Sequence, residues 1–145
     1  MIRKSILDLN VLIALTEPAH DQFSRAQDWF GASKGASLGM CPITEAGFIR
    51  ITTSASYRPF PRSMSQAVGA IQMYKDNPSY WFCAIDESWT TLTAPFAKRI
   101  SGRHQVTDAY LLGLAIKEGG VLVTFDRGIR YMAGAELAGN VLLLE

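Results

Sequence analysis

Five short apolar runs punctuate this chain: Ser5 to Leu9, Ser37 to Cys41, Tyr80 to Ile85, Val121 to Thr124 and Val141 to Leu144. All have strand length and composition, and the segments between them carry apolar residues at helical spacing. Phe23, Ala26, Trp29 and Phe30 form such a stripe within His20 to Ala32. Pro42 starts a helix that carries Thr44 to Ile51, and Ser63 caps one that runs to about Lys75. A helix from about Glu87 to Arg99 is kinked or split at Pro95. Thr107 caps Asp108 to Glu118, closed by Gly119-Gly120, and Ile129 to Met132 is a short helix after the turn Asp126-Arg127-Gly128. Strand and helix alternate throughout. That order defines an α/β protein with a central, mainly parallel sheet covered by helices on both faces. Binding sites in such sheets lie at the carboxyl ends of the strands.

The 145 residues suit one domain, residues 1–145, with a core of its own. Hydrophobic residues make up 48% and charged residues 19%, which excludes a disordered chain. A net charge of +1 does not announce a nucleic-acid partner, so any such partner must meet a local basic face. Cys41 and Cys83 lie in apolar surroundings without metal-ligand spacing and read as buried thiols. Asp8 and Asn10 interrupt the apolar N-terminal region, which argues against a signal peptide. No apolar run approaches the roughly 20 residues that span a bilayer. The expectation is a cytoplasmic protein with no membrane partner.

Within this frame four acids fall at strand ends and helix starts. Asp8 ends the first strand, with Asn10 two residues on and on the same side. Asp126 follows the strand Val121 to Thr124, while Glu45 and Asp108 lie in first helical turns. Taken singly, each has an ordinary use: a cap, a turn residue or a complement to a helix dipole. Taken together they conflict, since two carboxylates 4 Å apart repel by about 4 kcal/mol at an effective dielectric of 20. Four converging acids require protons or a cation. An oxygen-only set suits a hard ion, Mg²⁺ or Mn²⁺, and no His/Cys spacing supports zinc. The competing, histidine-based chemistry would have only His20 and His104 to use; His104, four residues before Asp108, could touch substrate but reads as a surface residue.

The residues around these acids resemble a known family. Leu7-Asp8-Leu9-Asn10-Val11-Leu12-Ile13-Ala14-Leu15 is similar to the opening motif of PIN domains of the VapC toxin type. Thr44 to Ile51, Gln105 to Leu111 and Thr124 to Gly128 resemble the second, third and fourth motifs, in the family's order. The resemblance spans nearly the whole chain, although Ser54 to Gly102 carries no motif. It implies a three-layer α/β/α PIN-like fold and a metal-dependent endoribonuclease, the toxin of a toxin–antitoxin pair. It also implies an RNA substrate (tRNA or another structured RNA), a cognate antitoxin that inserts into the site, and a homodimer. By the same resemblance Asp8, Glu45, Asp108 and Asp126 are the catalytic and metal-site acids. Asn10 and Thr124 match supporting polar positions.

Arg50 and Arg127 lie within the motifs and are the leading candidates for RNA phosphate. Arg58, Arg62, Arg99, Arg103 and Arg130 follow. Tyr57, Trp81 and Trp89 could stack on unpaired bases, with core packing as the ordinary use of the tryptophans. Three rival readings are weighed. A haloacid-dehalogenase-type phosphatase wants a second aspartate where Asn10 stands, and a lysine that Thr124 to Met132 lacks. A non-catalytic PIN-like binding module would keep the acids for contacts or stability. A nucleotide binder would need a glycine-rich phosphate loop, which is absent.

Overall fold

In the computed structural model, which describes residues 3–33 and 36–145, all five strands pair in parallel. They are β1 (Ser5–Leu7), β2 (Leu38–Met40), β3 (Tyr80–Phe82), β4 (Val121–Thr124) and β5 (Val141–Leu143), in the spatial order β3-β2-β1-β4-β5. The first strand is therefore central, and Leu7 pairs with Val123 across the β1–β4 rung. Gly35, taken with its neighbours as the end of the second helix, lies outside the described residues.

Side chains alternate across this sheet with the period of two that a strand imposes. Ile6, Cys41 and Leu122 enter one buried core, and Leu7, Met40, Val121 and Val123 enter the other. The first core is completed by α5 (Trp89–Thr93), α6 (Val106–Lys117) and α7 (Arg127–Leu137). The second is completed by α1 (Leu9–Thr16), α2 (Phe23–Ala32), α3 (Pro42–Thr52) and α4 (Met64–Asp76). With both faces covered, the strands are almost wholly apolar, as parallel strands must be.

Local signals account for most helix starts. Asp8 caps α1, its side chain accepting from Leu9 N. Pro42 opens α3, and Thr44 Oγ1 accepts the Cys41 backbone N–H at 3.0 Å. Ser63 and Gln66 cap α4 reciprocally. The helix expected around Pro95 is split there into α5 and a 3-10 segment, Ala94–Arg99. Several boundaries differ from the sequence reading, and the strand read over Tyr80 to Ile85 ends at Phe82. A turn in which His20 Nδ1 accepts from Gln22 N delays the second helix to Phe23. A 3-10 turn, Arg103–Gln105, leads into α6, so Thr107 is interior and no side chain caps this helix. The short helix after Asp126 extends to Leu137 across a kink at Gly134. No helix among the described residues is long and apolar enough to cross a membrane.

Candidate active site

The β1–β4 pairing places the first and last of the four acids side by side. Beyond the Leu7–Val123 rung, Asp8 N donates to Val123 O at 2.9 Å, so Asp8 and Thr124 end adjacent strands. The Thr124 hydroxyl, fully buried, accepts from Asp126 N at 3.0 Å and donates to Asp8 Oδ2 at 2.7 Å. Its single proton has one direction, because the second contact is itself a donor. Asp8 Oδ1 accepts from Leu9 N at 2.8 Å, and Asp126 Oδ1 accepts from Gly128 N at 2.7 Å. Asp108 enters from the first turn of α6, which packs against both central strands.

The three aspartates feel one another. Burial pushes the Asp108 carboxyl up to about 7, with the charges of Asp8 and Asp126 adding to the effect. Asp8 is only 6% exposed, and burial raises it as well, while the bonds from Thr124 and Leu9 oppose that rise. Both Asp8 oxygens accept hydrogen bonds, which favour its ionised form.

Glu45, in the first turn of α3, faces α4 instead. Its Oε1 is buried without a hydrogen bond and lies 3.7 Å from Lys75 Nζ of α4. The sequence pattern missed Lys75. Only the antiparallel return of α4 beside α3 could have pointed to it. Asn10 is exposed in the first turn of α1 and makes no side-chain hydrogen bond among the described residues. Arg50 is exposed in the last turn of α3, away from Glu45. Arg127 opens α7 beside Asp126, largely exposed, with Glu145 at 3.7 Å.

Other candidates for RNA contact are committed to the fold. Arg62 donates to Thr16 O at 3.1 Å and lies over the Phe48 ring. Arg99 donates to Met132 O at 2.8 Å and Ala133 O at 2.7 Å. Trp81 Nε1 donates to Ser37 Oγ at 2.8 Å, and Trp89 Nε1 to Val106 O at 2.9 Å. Tyr57 OH reaches Glu17 at 3.4 Å. His104 is exposed.

The donor set fits a hard divalent cation by chemistry: oxygen ligands only, with three mutually repelling carboxylates at one sheet edge. Asp8, Asp108 and Asp126 are the residues that could hold it. Their distances do not yet close, since no group of three acidic, His or Cys side chains among the described residues could hold an ion as it stands.

A parallel sheet between two helical layers, with aspartates gathered at its carboxyl edge, is a PIN-like α/β/α fold. Solved structures agree. VapBC2 from Rickettsia felis, determined bound to a DNA fragment from their promoter, matches with a TM-score of 0.67 at 12% identity, over 98% of this chain and 99% of that one. FitAcB from Neisseria gonorrhoeae matches at 0.62 and 17%, over 97% and 96%. No protein-family model matches the sequence. Among curated proteins, Ribonuclease VapC38 of Mycobacterium tuberculosis is 36% identical over 129 residues, 89% of both chains. Ribonuclease VapC39 of the same species is 33% identical over 133 residues, 92% of this chain and 96% of its own. The chain belongs to the VapC ribonuclease family.

Proposed function

We propose that residues 1–145 form one nuclease domain, a divalent-metal-dependent endoribonuclease that acts in the cytoplasm as the toxin of a toxin–antitoxin module. Asp8, Asp108 and Asp126 are its acidic centre and Glu45 the fourth acid. One observation supports the reading: Asp8 and Asp126, from separate parts of the chain, are tied through Thr124 at the carboxyl edge, and their charges reach Asp108. Nothing in the fold requires three such charges together, and their repulsion is a cost that substrate chemistry would explain.

A bound Mg²⁺ or Mn²⁺ would neutralise phosphate charge and supply an acidified water. The chain's own groups prepare for this. Thr124 and Leu9 N fix Asp8 in direction and favour its ionised form against the burial that raises it. Gly128 N fixes Asp126. Asp108, with its carboxyl near 7, holds a proton it can release close to neutral pH. The N-termini of α1 and α7 adjoin this edge and favour an anion there. Arg50, Arg127 and Asn10 are outer contacts for the RNA strand. Exposed Phe60, Met64, Val68 and Met73 give an apolar face on and beside α4, suited to a protein partner such as an antitoxin or a second subunit.

The test is cleavage of total RNA by purified protein. Cutting should require Mg²⁺ or Mn²⁺, stop with chelator, and vanish in Asp8→Asn and Asp108→Asn. Cutting that persists in chelator, or in both variants, overturns the reading.

A further inference from the structure

Gln105 closes the 3-10 turn that leads into α6, three residues before Asp108 and on the same side of the helix start. Its amide orientation is fixed by the protein. Oε1 accepts from Ser101 N at 2.8 Å and from Ser101 Oγ at 3.0 Å, so the opposite rotamer would set an NH₂ group against an N–H. Nε2 is thereby aimed at the turn that starts α7. A carbon added to Gly128 would lie 3.3 Å from Gln105 Nε2 and 3.0 Å from Asp126 Oδ1. Among the described residues, Nε2 donates to no protein acceptor, although the side chain is half-buried. Nε2 is open to solvent, so this N–H, held in direction by Ser101, is available to an acceptor that comes to the aspartate edge.

We propose that Gln105 is a substrate-contacting residue, its Nε2–H donating to a non-bridging phosphate oxygen of the RNA strand at the aspartate edge. The inference rests on the nuclease reading and adds a residue to it. The chemistry suits the place. An arginine here would pair with Asp126 or Asp108 and take up the carboxylates. A neutral amide donates to phosphate and leaves them free. Of the nearby basic groups, Arg99 is committed to Met132 and Ala133, whereas exposed Arg103 and Arg127 would add charge to the contact beside the amide.

The probe is a labelled RNA spanning the principal site that wild-type protein cuts in total RNA, with binding measured in an uncleaving Asp108→Asn background. Gln105→Met should weaken RNA binding about tenfold, the loss expected for one hydrogen bond to a charged group. Gln105→Glu keeps the acceptor for Ser101, and therefore the turn, and should weaken binding at least as much. In the otherwise wild-type protein, both variants should keep the Mn²⁺-induced rise in melting temperature. Replacing the contacted phosphate by methylphosphonate should weaken the Asp108→Asn parent but cause no further loss when Gln105→Met is added. Unchanged RNA affinity in both variants overturns the inference. So does loss of the Mn²⁺ response with RNA affinity intact, which would make Gln105 a positioning residue for Asp126. If wild-type protein cuts no RNA with Mn²⁺, the nuclease reading itself falls.

Discussion

Asp108 illustrates how one residue's surroundings set its protonation. Its carboxyl is raised to about 7 in the folded protein from 3.8, so between those values the native state binds more protons than the unfolded one. Stability of the metal-free protein should therefore fall as pH rises through that window. Asp108→Asn removes the charge and should flatten the dependence. In chelator at pH 8 it should stabilise the fold by about 1–2 kcal/mol, after discounting for partial exposure, as read from urea denaturation at pH 5 and pH 8. Thr124→Val has the opposite sign. It strips a buried hydrogen bond from Asp8 and an acceptor from Asp126 N, and should cost about 1–3 kcal/mol in the same assay, with Thr124→Ser losing less. The acids were visible in the sequence because an unpartnered carboxylate is anomalous in an apolar strand. The bonds of Thr124 were not, since 116 positions separate it from Asp8 and only the β1–β4 rung joins them.

At the level of helices and strands, alternation of strand-like and helical spacing located every strand, and Pro95 split its helix as a missing N–H requires. What failed had tertiary causes. Gly128 and Gly134 made the segment after Asp126 look like a turn and a short helix. Arg99 holds the kinked helix together by capping the carbonyls of Met132 and Ala133 from a different element. Gly134 sits at φ 70°, and a carbon there would come 2.9 Å from the Arg99 guanidinium. Gly134→Ala should lower stability by about 1–3 kcal/mol, and Arg99→Ala by about 1–2 kcal/mol. Because both disturb one contact, the double variant should lose less than the sum, which a thermal-melt cycle would show. Glu45 shows the same limit. Its placement in the first turn of α3 was readable, whereas its pairing with Lys75 depends on how two helices lie side by side.

For the molecule as a whole, the fold class followed from strand–helix order. The spatial order β3-β2-β1-β4-β5 did not, because parallel strands accept several arrangements and the choice depends on how both faces are filled. If the aspartates hold a cation only in the native state, Mn²⁺ at a hundredfold excess over its Kd should stabilise the protein by about 2.7 kcal/mol. Asp8→Asn should abolish that gain, and chelator should reverse it in wild type. A melting temperature indifferent to Mn²⁺ would count against the metal site. The central position of β1 has a further consequence for synthesis. The first strand leaves the ribosome early, yet its neighbour on one side is made only after residue 120. Until then Asp8 has no Thr124 beside it, so a prematurely terminated copy should be harmless to the cell that makes it.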